Sequence, residues 1–275
     1  EEKKNKLYNK TKFYSPYERK IIKQNQLIFF DKLSKKKLSY SLPNKVKDKV
    51  ENFLLKKKLY VENKNVYTFS LRRMIFYKKN KKVISKNDDY YDILRSKFVE
   101  QKNFLKSINY LSSNKNNFLF VENLDKKLQK KIYNKFNNIF FYDVNEKLYK
   151  EISIYNYFLE SVRITQNNGG MILSKLMGTK VIVTDFFPFC NGNPGGKYIL
   201  IFPKIKIKKK IFKLNQYIKS DFFYGKGFDK KNISMIPNSD TQIFNVILDT
   251  KYKKSKKIYF PKDSMIKYRK PIIYF

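Results

Sequence analysis

The sequence has no histidine, no tryptophan and a single cysteine among its 275 residues. Without histidine, a Ser-His-Asp or Cys-His nucleophile pair cannot be built, and neither can an imidazole metal site. One cysteine, Cys190, cannot form a thiolate zinc site or an internal disulfide, and it is most simply a buried or loop thiol. Any catalysis therefore depends on carboxylates, Lys, Arg, Tyr, amides or backbone dipoles.

Arginine is scarce although the chain is strongly basic. Only six of the 61 basic residues are Arg, and the formal net charge is +38. Such a charge points to nucleic acid or an anionic membrane, but phosphate recognition favours the bidentate fork of Arg. The excess of Lys accompanies abundant Asn, Ile, Tyr and Phe, a composition typical of a genome rich in A and T. Two interpretations stay open, compositional drift and a polyanion-binding surface.

Long apolar segments are also absent. No stretch approaches the roughly 18 residues of a membrane span, and the N-terminal Glu-Glu-Lys-Lys lacks the apolar region of a signal peptide. We therefore expect a cytoplasmic protein, or one peripheral at the inner membrane, and the missing initial Met indicates a fragment or a processed chain. With 22 Tyr, 25 Phe and 42% apolar residues, the chain can form a core, so we expect it to be folded.

Glycine is confined to the second half of the chain. All eight glycines lie at or after position 169, at 169, 170, 178, 192, 195, 196, 225 and 227. A Gly retained in a sequence this rich in Asn indicates a backbone that needs positive φ or a close approach. We therefore expect a functional site within residues 165–227.

Strand and helix patterns alternate along the chain. Apolar runs and alternation predict strands at 66–71, 118–121, 139–142, 162–165, 181–183 and 198–202. Helical spacing predicts helices within 91–108, 124–136, 146–160 and 171–177, a short helix after Pro43, and a helix through Leu248 that Ser239 and Gln242 open as a capping box. This order predicts an α/β fold with an open, mainly parallel sheet, which would bind ligands at the carboxyl ends of its strands.

The strongest local feature is the turn TQNNGG at 165–170, between a predicted strand and a predicted helix. Free N–H groups of residues 168–171 at the helix start, with glycines that admit a ligand, form an anion site suited to a diphosphate. A tight strand-to-helix turn without a ligand is the competing interpretation. The turn lacks the G-x-G-x-x-G dinucleotide signature, and nothing in the chain fits G-x-x-x-x-G-K-[ST].

The context of this turn resembles the C-terminal, nucleotide-sugar half of a family of bacterial glycosyltransferases associated with surface-polysaccharide synthesis. The family's N/T-S-G-L turn, G-x-P-V strand, I-P-K motif and D-N-S-x-x-E-I segment occur in the same order. Their counterparts are Asn167-Asn168-Gly169-Gly170, Gly178-Thr179-Lys180-Val181, Phe202-Pro203-Lys204, and Asn238-Ser239 with Gln242-Ile243. Lys180 and Gln242 depart from the usual Pro and Glu.

The resemblance extends more faintly upstream, over roughly 60–250 in all. Phe69-Ser70-Leu71-Arg72 is similar to an h-x-R strand end, and Asp88-Asp89-Tyr90-Tyr91 to an R-x-x-D-x-x-x-Y segment. The family's N-terminal acceptor domain is largely missing. The resemblance implies a GT-B-like arrangement with three parts: a basic helical N-terminal segment or domain remnant at 1–60, a Rossmann-like nucleotide-sugar domain at 61–250, and a basic tail at 251–275.

The implied activity is transfer of a sugar from a nucleotide-sugar donor to a surface glycan or lipid-linked acceptor, with the nucleotide sugar as co-substrate and no cofactor. Arg72 or Arg73 would neutralise the diphosphate; only one would face it, because successive strand residues point to opposite faces. Lys204 is a further candidate cation. The complete nucleotide-binding set is Arg72, Arg73, Asn167, Asn168, Gly169, Gly170, Lys204, Asn238 and Ser239.

The candidate general bases are Asp88, Asp89 and Asp185, each of which is also typical of a cap, a turn or a solvated carboxylate. No D-x-D sequence occurs, so we expect no metal site. Departure of the nucleoside diphosphate would instead be stabilised by cations and helix-terminal dipoles.

The basic run at 204–208 alternates Lys and Ile as a half-buried strand does. It predicts an edge strand protected by lysines, or else a contact with a membrane surface or RNA phosphates. For the whole chain, the second hypothesis is a non-enzymatic RNA-binding component of an organellar or minimal-genome ribosome. The partner would then be RNA and the location organellar.

Overall fold

A computed structural model of the chain describes residues 41–72, 100–166, 170, 173–174, 177–185, 198–201, 203–212 and 233–252. In these residues the chain forms a six-stranded sheet, in which all five pairings are parallel, and a three-stranded antiparallel sheet. Helices alternate with the strands of the larger sheet. The predicted α/β fold with an open, mainly parallel sheet is therefore confirmed.

All six strands predicted from the sequence are present in the large sheet, with ends that differ by at most two residues. They are β1 (Asn65–Ser70), β2 (Asn117–Glu122), β3 (Ile139–Tyr142), β4 (Glu160–Gln166), β5 (Lys180–Thr184) and β6 (Tyr198–Leu200). The helices are α1 (Asn44–Lys56), α2 (Leu105–Ser112) after a 3-10 turn (Gln101–Phe104), α3 (Lys126–Gln129), α4 (Tyr149–Leu159) and α5 (Asp240–Tyr252). The small sheet contains β7 (Lys204–Ile207), β8 (Lys210–Phe212) and β9 (Ile233–Ile236).

The strands of the large sheet follow the order β3-β2-β1-β4-β5-β6. This is the order of the doubly wound, Rossmann-type sheet, in which the chain builds outward from β1 and then crosses over to continue from β4. The direction of winding reverses between β1 and β4. The carboxyl ends of these two strands therefore flank the crevice where such sheets bind ligands.

Helices cover both faces of the large sheet. Five of the six residues of β1 and all six of β2 are buried, as expected for parallel strands that pack on both sides. One face packs against α2 and α5, through Ile108, Leu111, Ile243, Val246 and Ile247. The other packs against α1 and α4, through Val50, Leu54, Ile152 and Tyr155. The helix after Pro43 thus shares its core with the sheet.

The helix predicted at 124–136 is wrong beyond its first turn, because only α3 forms there. The backbone N–H of Tyr133 donates to Asn109 Oδ1 at 2.9 Å instead of continuing the helix. The buried amide of Asn138 donates to the carbonyls of Ser112, Asn114 and Asn117 at 3.0, 3.1 and 3.0 Å. Side-chain amides therefore hold the segment before β3 in an irregular conformation.

The prediction of an edge strand at 204–208 is also wrong. The alternating residues do form a strand, β7, but it pairs with β8 on one side and with β9 on the other. The lysines of β7 consequently lie in the middle of the small sheet. Their spacing still places Lys204 and Lys206 on one face.

Within the described ranges, no helix is long and apolar enough to cross a membrane.

Candidate functional site

A chain of hydrogen bonds joins the carboxyl ends of β1, β4 and β5. The backbone N–H of Arg72, just after β1, donates to Oε1 of Gln166, the last residue of β4, at 3.1 Å. The amide Nε2 of Gln166 donates to Oδ2 of Asp185, just after β5, at 3.5 Å. We call Arg72, Gln166, Asp185 and Asn238 the strand-end network. It spans the point where the direction of winding reverses.

Asn238 connects the strand-end network to α5. The backbone N–H of Asp185 donates to Asn238 Oδ1, and the backbone N–H of Asn238 donates to Asp185 Oδ1, both at 2.6 Å. The Asn238 side chain and backbone are only 2% exposed, and the Asn238 carbonyl accepts from Asn103 Nδ2 at 2.7 Å. This reciprocal pair fixes the loop after β5 against the segment between β9 and α5.

Asp185 has an unusual backbone and an unusual carboxyl group. Its φ of 50° lies in the left-handed region, which Asp tolerates better than most residues. Burial raises the pKa of its carboxyl to about 7, an effect larger than the lowering by hydrogen bonds from Asn238 and Gln166. Near neutral pH both protonation states are therefore populated. A group with such a pKa can accept and return a proton in a reaction.

Gln101 closes the ends of β1 and β2. Its Nε2 donates to the carbonyls of Arg72 and Asn123, each at 2.8 Å, and its Oε1 accepts from the backbone N–H of Asp125 at 2.9 Å. In dinucleotide-binding sheets, a Gly-rich turn after β1 receives the pyrophosphate. Here no glycine precedes position 169, and a glutamine side chain binds the carbonyl of Arg72, the second residue after β1.

The carboxylate at the end of β2 accepts hydrogen bonds from two hydroxyl groups of the same chain. Glu122 is 8% exposed, and its Oε2 and Oε1 accept from Ser70 Oγ and Tyr149 Oη, each at 2.6 Å. Burial and the bond to Glu122 raise the pKa of Tyr149. Dinucleotide-binding sheets use an acidic residue near this position to bind ribose. Glu122 instead ties β1 and β2 to α4.

The structure brings three of the predicted site residues together, Arg72, Asp185 and Asn238. Gly170, the first described residue after β4, has a helical backbone, and its carbonyl accepts from Ser174 Oγ at 3.1 Å. Lys204 begins β7. The exposed Ser239 accepts from the Gln242 backbone N–H at 3.2 Å, so its hydroxyl caps α5 as the capping box predicts. The remaining candidates lie outside the described residues: Arg73, Asp88, Asp89, Asn167, Asn168 and Gly169.

Sequence reasoning missed Gln101, Glu122 and Gln166 as site residues. For Glu122 and Gln166 a signal was available, because each is the polar last residue of a buried strand. Gln101 carried no local signal, since its partners at positions 72 and 123 are 29 and 22 residues away. Among the residues that the structure describes, no group of three or more His, Cys, Asp or Glu could hold a metal ion.

No protein-family model, no curated protein and no solved structure matches the chain. A functional assignment therefore depends on the fold, the strand-end network and the sequence motifs.

Proposed function

We propose that the chain is a glycosyltransferase that binds a nucleotide sugar at the carboxyl ends of β1 and β4. The observation that carries the proposal is the strand-end network at the reversal point of a doubly wound sheet. Polar groups from three strand ends converge there, at the edge where such sheets take up ligands. Of the motifs that resemble those of GT-B-like glycosyltransferases, two contribute Arg72 and Asn238 to this network, whereas the 178–181 motif lies at the amino end of β5.

The diphosphate would lie on the turn that follows β4. This turn contains Gly169 and Gly170. Gln166, the last residue of β4 before the turn, belongs to the strand-end network. Helical backbone begins by Gly170, so N–H groups of 168–171 would face the anion together with the positive end of the helix dipole. The guanidinium of Arg72, two residues after the end of β1, is the candidate cation that belongs to the strand-end network.

The closed ends of β1 and β2 support a single nucleotide over a dinucleotide. Gln101 binds the carbonyls that follow both strands, and Glu122 receives two hydroxyls of the protein. A dinucleotide extends over both halves of the sheet edge, whereas one nucleoside diphosphate would lie between the end of β1 and the turn after β4, without using the end of β2. That turn contains Gly169 and Gly170.

In the proposed reaction, Asp185 acts as the general base. An acceptor hydroxyl attacks the anomeric carbon, its proton passes to Asp185 Oδ2, and the nucleoside diphosphate leaves with the electrons of the broken glycosidic bond. The negative charge on the leaving group would be stabilised by Arg72 and the helix start after β4. The reciprocal bonds with Asn238 hold Oδ1, and Oδ2 makes the longer contact of 3.5 Å with Gln166.

Thermal unfolding with a panel of nucleotide sugars tests the proposal, with dinucleotides such as NAD as a second panel. We expect at least one nucleotide sugar, and no dinucleotide, to raise the unfolding temperature. Gly169→Val should abolish that rise while leaving the unliganded fold intact, because a side chain would enter the anion site. Lys115→Val, at an exposed position near the amino end of β2, is the control that should keep it.

Two results would contradict the proposal. If Gly169→Val binds the nucleotide sugar with unchanged affinity, the 165–170 turn has only a structural role. No response to any nucleotide sugar, together with tight, salt-sensitive RNA binding, would favour the RNA-binding hypothesis instead.

A further inference from the structure

The small sheet carries one face on which lysines and exposed isoleucines alternate. In the register of this antiparallel sheet, Lys206 lies opposite Ile211, and Lys204 lies opposite Ile236. Residues directly opposite each other in a sheet share a face. These four residues therefore form one surface, which we call the basic hairpin face.

Both isoleucines of the basic hairpin face reach solvent. Ile211 is 45% exposed and Ile236 is 38% exposed. The turn between β7 and β8 adds the exposed Lys208 and Lys209, whereas Lys210 lies opposite Ile207 and therefore on the other face. No Asp or Glu occurs in 203–212 or 233–239, so acidic neighbours in sequence do not neutralise these charges.

The basic hairpin face belongs to the same edge of the molecule as the strand-end network. The chain enters the small sheet shortly after Ile201, which donates its N–H to the Val183 carbonyl beside the end of β5. It leaves the small sheet at Ile236 and reaches Asn238, the partner of Asp185, two residues later. Both connections of the small sheet are therefore anchored at the carboxyl end of β5.

We propose that the basic hairpin face docks the protein on an anionic lipid surface. Lys204 and Lys206 of this face, with Lys208 and Lys209 of the adjoining turn, contact the headgroups, whose negative surface potential attracts them. Ile211 and Ile236 enter the boundary between headgroups and acyl chains. The docking does not depend on the transfer reaction, but it would place the strand-end network beside the bilayer.

The chemistry of this face favours lipid over RNA. RNA recognition uses aromatic rings that stack on bases and the planar fork of Arg. The basic hairpin face has neither, because its four residues are two Lys and two Ile. A fluid array of headgroups needs no directional fork, and it offers the exposed isoleucines an apolar layer, which nucleic acid does not.

Co-sedimentation with vesicles tests the docking surface. The full chain should bind vesicles of mixed phosphatidylcholine and phosphatidylglycerol and should release them as salt is raised. A variant with Lys204, Lys206, Lys208 and Lys209 all changed to Gln should lose more than about tenfold in partition coefficient. Circular dichroism should show that each variant retains its secondary structure.

A variant of identical net charge separates location from total charge. Lys126, Lys127, Lys130 and Lys131 are exposed in and after α3, and changing all four to Gln should alter vesicle binding less than about twofold. Ile211→Ser with Ile236→Ser keeps every charge and should weaken binding severalfold. If raising the salt still releases this variant from the vesicles, the remaining attraction comes from the lysines.

Three outcomes would overturn the proposal. Equal losses in the two lysine variants would show attraction by net charge alone. Full vesicle binding by the variant with both isoleucines changed to Ser would show that Ile211 and Ile236 do not contribute to docking. If the wild type fails to sediment with the vesicles but binds RNA through Lys204, Lys206, Lys208 and Lys209, the face serves nucleic acid. Nucleotide-sugar binding is measured separately, so its presence or absence does not decide this test.

Discussion

Asp185 combines a left-handed backbone, a partly buried carboxyl whose pKa is raised, and two hydrogen bonds with Asn238. The sequence indicated it as one of three candidate carboxylates. Its partners were not predictable, because position 238 is 53 residues away and Gln166 lies on a different strand. What singles it out is therefore a property of the folded chain, namely the burial that raises its pKa.

The raised pKa of Asp185 predicts a pH-dependent stability. Because the folded pKa of about 7 exceeds the ordinary value of 3.8, the folded state holds the proton more tightly than the unfolded state. The stability this contributes is fully present below about pH 4 and is lost as pH rises through about 7. Asp185→Asn removes the titration, so the free energy of unfolding of the wild type should fall by about 3 kcal/mol relative to the variant between about pH 5 and about pH 8.

Urea unfolding of the two proteins at several pH values measures this difference. Effects of all other titrating groups cancel in the comparison, since the variant changes one carboxyl to an amide of the same shape. A difference that stays constant with pH would show that the pKa of Asp185 is not raised.

Some residues of the candidate site could be predicted from the sequence, and others could not. Arg72 and Asn238 were predicted because they follow strands or belong to a motif. Gln101 was not, because its three hydrogen bonds reach residues that only the folded sheet brings close. A glutamine in a predicted helix gives no sign that it will close two strand ends.

At the scale of elements, the strands of the large sheet were predictable and the small sheet was not. Parallel strands buried on both faces read as apolar runs, which is how 118–121 and 139–142 were found. The pairing of β7 with both β8 and β9 depends on register between distant segments, so periodicity in β7 could not show that it is central. The helix predicted at 124–136 failed because asparagine side chains compete with helical hydrogen bonds.

The competing asparagines give a prediction about the approach to β3. Asn138→Asp removes an amide that donates to three carbonyls and places a carboxylate among them, in a residue that is fully buried. We expect the free energy of unfolding to fall by about 3 kcal/mol or more, measured by urea unfolding at neutral pH.

The matched control for this prediction is Asn134→Asp, the same chemical change four residues earlier. The Asn134 oxygen accepts from the Asn138 backbone N–H at 3.3 Å, and an aspartate can accept that bond equally well. We expect a change of less than about 1 kcal/mol, since the position is only partly buried. Similar losses in both variants would contradict the role given to the Asn138 amide.

At the scale of the whole molecule, the crevice between β1 and β4, the turn that follows β4 and the strand-end network belong to one edge of the large sheet. The strand order places a crevice between β1 and β4, the glycines follow β4, and the strand-end network joins β1, β4 and β5. The alternation of strand and helix patterns predicted the fold class. The fold class in turn predicted that a ligand would bind at the carboxyl ends of the strands. The hydrogen bonds by which Gln101 and Glu122 close the ends of β1 and β2, on which the proposal of a single nucleotide rests, could be seen only in the structure.

The net charge of +38 has two distinct parts. Most Lys residues are scattered, in keeping with the scarcity of Arg and with compositional drift. Those of the basic hairpin face are set apart by the exposed isoleucines beside them and by their position next to the strand-end network. Total charge therefore says less about a partner than the arrangement of four residues does.

Hydrogen–deuterium exchange with and without a saturating nucleotide sugar would locate the bound ligand. We expect slower exchange in peptides that cover 163–174, with smaller protection around Arg72 and Asp185, and no change in the peptides of α1. Protection confined to other parts of the chain would contradict a nucleotide-sugar site at the carboxyl ends of β1 and β4, and so would unchanged exchange throughout.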